Sequence, residues 1–151
     1  MLKCTRRTMH ALEAVVDIAF HARPEPVQSK DIAARQNVPQ RYLEQVMQHL
    51  VRNGILKGVR GPRGGYTLAR ERRRITVGEV VRIVSELDAD GEDDFSAGSE
   101  LGRRTVQPIW EECQAEILAR IDQITLDDLC GRAETSGFSA AQLEGADNFA
   151  I

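Results

Sequence analysis

The sequence predicts a mainly α-helical fold carrying one small β-hairpin, and three observations point that way. Hydrophobic residues make up 42% of the 151, yet only seven are Phe, Trp or Tyr, so the core must be built from aliphatic side chains, which suit helices packed through apolar stripes. Several segments repeat apolar residues at helical spacing. One glycine-rich stretch, RGPRGG, lies between two short β-prone runs. The length allows one compact core with an extension, rather than two independent domains.

The first helix is expected from Thr5 to Ala22, where Met9, Leu12, Val16, Ile18, Ala19 and Phe20 recur at helical spacing, Thr5 offers an N-cap and Arg23-Pro24 closes the segment. Ser29 can cap a short second helix, Lys30 to Gln36, with Ile32 and Ala33 inward. After the turn Asn37-Val38, Pro39 is placed at the first position of a third helix, where its missing N–H costs nothing. That helix runs to Asn53-Gly54 with Leu43, Val46, Met47, Leu50 and Val51 on one face and Gln40, Arg41, Glu44, Gln45, Gln48 and Arg52 on the other. Two helices joined by so short a turn, the second amide-rich on its open side, fit a helix-turn-helix whose second helix enters a major groove; they equally fit an αα-hairpin with a solvated face.

The next residues favour the first alternative. Ile55 to Val59 and Tyr66 to Ala69 read as strands around RGPRGG, placing a β-hairpin directly after the second helix, in the position of a wing. Arg60 and Arg63 supply charge at its tip, while Gly61, Gly64 and Gly65 let backbone amides approach a phosphate, with Tyr66 opening the return strand. The bland alternative is a surface turn with incidental arginines. A nucleotide-binding loop is disfavoured further, because GxxxxGK[ST] is absent and no helix follows the glycines.

Arg70 to Arg74 (RERRR) reads as a charged connector, and Thr76-Val77-Gly78-Glu79 as a capping box opening a helix to about Leu87. The acidic stretch DADGEDDFSAGSELG suggests a mobile loop. A long helix is expected from about Thr105 to Asp122. Its stripe of Val106, Ile109, Trp110, Cys113, Ile117 and Ile121 exceeds what the first half can bury, so pairing with a second copy is the economical use and packing back on its own body the alternative. Thr125 can cap a last helix, Leu126 to Ala133. The expected organisation is a winged helix-turn-helix over 1–75, a linker helix, mobile loop and dimerisation helices over 76–135, and a flexible tail over 136–151.

Charge divides at the same place. Residues 1–75 hold 15 Lys and Arg against 6 Asp and Glu, a net of +9, and residues 76–151 hold 5 against 17, a net of −12, which together give the overall −3. The basic half is the one suited to an anionic partner, namely double-stranded DNA. No apolar run approaches the roughly 20 residues that span a bilayer, and the N-terminal residues lack a signal-like stretch, so a cytoplasmic protein without a membrane partner is expected.

DIAARQNVPQRYLEQVMQHLVRNGILKGVRGPRGGYTLAR followed by ITVGEVVRIV resembles the Rrf2 family of bacterial transcription regulators, over about Thr5 to Ala133. The resemblance implies a winged helix-turn-helix homodimer, the long helix crossing to the partner, on a roughly palindromic operator. It places base-reading positions at Gln40, Glu44 and Gln45 and a minor-groove arginine at Arg60. Physical chemistry agrees: glutamine can bond an adenine edge twice, and glutamate can accept from the cytosine amino group. Arg41 and Tyr42 could reach phosphates, while Ser29 and Lys30 at the start of the short helix could fix orientation.

The chain also departs from the family. Many members hold an iron–sulfur cluster on three closely spaced cysteines before the dimerisation helix, and here the segment Asp88 to Arg104 has none; a position that supplies a histidine ligand in some members is Gln107. No such cluster, and no other cofactor or metal site, is therefore expected. Cys4, Cys113 and Cys130 are too scattered for a disulfide framework; Cys113 and Cys130 are candidates for redox sensing, against the commoner role of small buried hydrophobes. His10, His21 and His49 lack metal-ligand spacing and read as packing or surface residues. With no nucleophile–base pair or paired-carboxylate site, an enzyme is not expected. The expected function is a regulator, a repressor, answering to an unidentified small molecule or protein; the alternative is an accessory module that keeps the fold and works through protein contacts of its acidic half.

Overall fold

The computed structural model describes residues 4–21, 25–88 and 98–138. Arg23-Pro24, most of the acidic loop and the tail beyond residue 138 lie outside the described residues.

Helix α1, Arg6–Phe20, starts where the Thr5 hydroxyl accepts the Thr8 amide (3.2 Å). Ala11, Ala14 and Ala19 on its inner face are small enough to let neighbouring helices approach, and Val15 and Ile18 fill the space between. Helix α2, Ser29–Gln36, ends at Asn37, whose left-handed φ of 55° turns the chain sharply into Val38-Pro39. Helix α3, Gln40–Arg52, buries Leu43, Val46, Met47 and Leu50 and is stopped by Asn53 and by Gly54 at φ 77°. Two starts differ from expectation by one residue. Ser29 is the first helical residue rather than the cap, because its hydroxyl turns to Glu44 on α3. Pro39, extended at ψ 132°, precedes α3 as its cap residue, its carbonyl accepting the Leu43 amide.

Strands β1, Leu56–Val59, and β2, Gly65–Leu68, pair antiparallel with Leu56 opposite Leu68 and Gly58 opposite Tyr66. Val27 adds a one-residue third strand through reciprocal backbone bonds with Tyr66 (2.9 and 2.8 Å). The RERRR connector contains a 3₁₀ turn, Arg72–Arg74. Helix α4, Val77–Ser85, opens with the Thr76–Glu79 capping box and gives way to a 3₁₀ turn, Glu86–Asp88, two residues sooner than its apolar pattern suggested.

The long helix α5 occupies Gln107–Ile121, later than expected, and a π-helical turn, Gly102–Val106, leads into it. Pro108 is the reason: it has no N–H to give to the carbonyl four residues back, and its ring crowds that turn. Helix α6, Leu126–Thr135, begins at a Thr125–Asp128 capping box. Its start is stitched to that of α4 by Val77 N–H to Ile124 O (2.8 Å) and Leu126 N–H to Ile75 O (2.9 Å). Leu126 thereby joins Val80 and Val84 in the same core as α1, α2 and α3. Among the described residues no helix is long and apolar enough to cross a membrane.

Candidate nucleic-acid interface

The core face of α3 fixes its opposite face outward, and the hairpin that follows folds beside it. Together with the start of α2 they enclose an open notch of about 440 Å³, lined by Ser29, Lys30, Gln40, Glu44, Gln48 and the wing residues 58–62 and 64–66. Lys30, Gln40, Arg41, Gln45, Arg60, Gly61 and Arg63 are exposed around it. Lys30, Arg41, Arg60 and Arg63 enter no ion pair among the described residues. Arg7, Arg35, Arg70, Arg72, Arg73 and Arg82, by contrast, are each tied to a carboxylate. Four cations without an ion pair among the described residues thus surround the face that carries the amide side chains of α3, and the RERRR run, with three of its four arginines paired, adds less potential than its composition suggested.

The wing glycines have structural causes. Gly61 takes φ 115°, a conformation strained for any L side chain. A Cβ at Gly65 would collide with the Val27 carbonyl, and one at Gly64 with that of Val59. Tyr66 is buried; its backbone pairs with Val27 and its phenolic oxygen accepts from Gln48 Nε2 (3.0 Å). Burial, reinforced by the charge of Glu44, pushes the phenol above its ordinary range although the Gln48 bond works the other way, so the hydroxyl stays neutral. Gln48 was expected only as part of an exposed polar face; its spacing of one turn after Glu44 is the signal that places it beside the wing.

Other predicted contacts turn inward. Ser29 is buried and donates to Glu44 Oε1 (3.0 Å), and Gln40 Nε2 lies 3.3 Å from both Ser29 Oγ and Glu44 Oε1. The Tyr42 hydroxyl meets His10 Nδ1 (3.2 Å), with the two rings edge to face, rather than standing free for a phosphate. The other histidines also have packing partners: His49 Nε2 donates to the Ile83 carbonyl (2.9 Å), and His21 Nδ1 lies 2.8 Å from the Asp17 carbonyl. No cluster of three His, Cys, Asp or Glu able to hold a metal occurs among the described residues.

On α5, Val106 at the entry and Ile109, Trp110 and Ile117 along the helix are each more than half exposed, and Cys113 between them is exposed as well. Ile121 is the exception, half-buried against the chain's own body on the side shared with Gln114 and Leu118. Gln107 donates to Glu111 one turn on (3.0 Å). Cys4 is exposed, whereas Cys130 is buried in α6. Burial raises the Cys130 thiol above its usual range against the opposing pull of the Arg72 guanidinium.

A helix-turn-helix whose second helix keeps an open polar face, followed at once by a basic hairpin, defines the winged helix-turn-helix class of DNA-binding regulators. The model of the Rrf2 family, described as an iron-dependent transcriptional regulator, matches residues 4–132. The HTH-type transcriptional regulator IscR of Pectobacterium atrosepticum is 34% identical over 137 residues, covering 88% of this chain and 82% of the relative. IscR of Yersinia pestis is 33% identical over 132 residues, covering 85% and 79%. Among solved structures, IscR of T. potens superposes with a TM-score of 0.73 at 36% identity, covering 91% of this chain and 93% of that one. CymR, the global cysteine regulator of B. subtilis, superposes with a TM-score of 0.70 at 28% identity, covering 87% and 98%. The chain belongs to the Rrf2 family of transcriptional regulators, and its class is that of a DNA-binding regulator, not an enzyme.

Proposed function

We propose that this chain acts in the cytoplasm as a homodimeric repressor that reads a roughly palindromic operator directly, without an iron–sulfur cluster. The observation that carries this reading is the gathering of four unpaired cations, Lys30, Arg41, Arg60 and Arg63, around the exposed amides of α3. In this reading Gln40, Glu44 and Gln45 meet base edges and Arg60 enters the minor groove beside the wing, while Lys30, Arg41 and Arg63 meet phosphates. Ser29 and Tyr66 support that surface from beneath, and the wing glycines hold the hairpin close to the duplex. Labour divides near residue 75, with reading before it and dimerisation after it, although both halves share one core. The exposed stripe of Val106, Ile109, Trp110, Cys113 and Ile117 is the surface offered to the second copy.

The donor set does not suit a cluster. The segment from 88 to 104 has no cysteine; Cys4 precedes α1, Cys113 stands midway along α5 and Cys130 is buried in α6. Cluster irons need several thiolates or imidazoles converging on one point, and these three thiols sit on separate elements. The signal is accordingly a small molecule or a partner protein that favours one spacing of the two reading heads over another.

Selection of duplexes from fragmented genomic DNA by the purified full-length chain tests this reading. It predicts a small set of fragments sharing an inverted repeat, bound by two protomers, and lower output from a reporter placed behind that repeat. Weak, sequence-blind binding would favour an accessory role instead. Anaerobically purified protein is expected to be colourless; visible absorption from bound iron and sulfide would overturn the cluster-free assignment.

A further inference from the structure

The Ser29 side chain is turned from the outer surface towards α3. It is buried at the floor of the notch, and its single hydroxyl proton is committed to Glu44 Oε1 at 3.0 Å. The Gln40 amide nitrogen lies 3.3 Å from the Ser29 oxygen and 3.3 Å from the same Glu44 oxygen, so its two protons can serve both acceptors. These bonds close a ring of three side chains across the α2–α3 junction. They hold Glu44 Oε1 down and leave Oε2 as the oxygen free to accept from outside. Resting on the DNA-reading function proposed above, we propose that Ser29 is a positioning residue for sequence specificity: it presets the Glu44 carboxylate, through which one base pair of each half-site is read.

The physical need is clear. A carboxylate at a DNA surface is repelled by phosphates, and a glutamate with three free torsions would swing away from the groove or sample several base edges. Tethering one oxygen removes that freedom before binding, so discrimination is built into the free protein rather than assembled on the duplex. The tether also neutralises no charge. It should therefore alter which base is preferred without altering how many phosphates are met.

The test measures Kd for the strongest duplex selected by the wild-type full-length chain, and for its variants carrying each other base pair at each half-site position. Glu44→Ala identifies the base pair that Glu44 reads. Ser29→Ala is expected to lose about tenfold of discrimination at that base pair alone, within the range a single good contact supplies. Its salt dependence and its preferences elsewhere should match wild type. Ser29→Thr, which keeps the hydroxyl, should retain the preference, whereas Ser29→Val, isosteric with that threonine but lacking the hydroxyl, should lose it, and Ser29→Ala combined with Glu44→Ala should lose no more than Glu44→Ala alone. A uniform loss of affinity over all duplexes, an unchanged base profile in Ser29→Ala, or additive losses in the double variant would overturn the proposal while leaving DNA reading intact. A wild type that binds every duplex alike would overturn the DNA-reading function itself, and this proposal with it.

Discussion

At the scale of single residues, neighbouring positions of the wing exist for opposite reasons. Arg60 is exposed with no ion-pair partner among the described residues, whereas Gly65 has no room for even a methyl group beneath the Val27 carbonyl. Gly65→Ala should therefore separate Val27 from Tyr66 and cost about 1–3 kcal/mol, as other overpacking substitutions do. Denaturant unfolding would show it as a lower midpoint, and an unchanged midpoint would contradict the close approach. The glycine density of RGPRGG was legible in the sequence, but its cause was not. The Val27–Tyr66 pairing joins residues far apart in the chain, and no local pattern records it. The same holds for Tyr42, whose hydroxyl finds His10 on another helix. Cysteine chemistry divides likewise: burial holds the Cys130 thiol above its usual range, so it has little thiolate at neutral pH and little access. Alkylation followed by mass spectrometry should modify exposed Cys4 rapidly and Cys130 only on unfolding. Equal rates for the two would refute that burial.

Elements with short-range causes were the most legible. The caps at Thr5, Thr76 and Thr125 each involve a partner three residues ahead, and all three form as their spacing implies. Ser29 and Pro39 shifted by one residue because tertiary bonds and the left-handed Asn37 decide those starts. Helix α5 shows both sides. Its apolar repeat is plain in the sequence, but the π-helical entry before Pro108 and the turning of Ile121 towards its own body depend on surroundings the repeat does not encode. The rest of the stripe is uncovered among the described residues, and in the proposed dimer it is the surface that meets the second copy. Ile109→Asp would place a charge in its middle. Sedimentation should then show a shift from dimer to monomer, with Cys113 alkylating faster in the variant than in wild type. A variant that remains dimeric at low micromolar concentration would remove α5 from the interface.

For the whole molecule, the legible feature was charge, a basic half joined to an acidic one. The structure refines it. Arg7 pairs with Asp88, Arg70 with Glu79 and Arg72 with Asp127, so several cations of the first half are spent holding the second half in place. Lys30, Arg41, Arg60 and Arg63 remain as a local positive face around α3 and the wing on a chain of net charge −3, and a local face of that sign suits a polyanion better than the net charge does. If it reads DNA as proposed, such an arrangement binds by releasing counterions at a few phosphates and relies on the wing to hold α3 in register. Fluorescence anisotropy of the selected operator across a salt series, for wild type and Arg60→Ala, tests this most directly. The account predicts a steep salt dependence for wild type; for Arg60→Ala, with an unchanged circular dichroism spectrum, it predicts affinity at least about tenfold weaker and a salt slope shallower by about one contact. Unchanged affinity and slope in Arg60→Ala would contradict it.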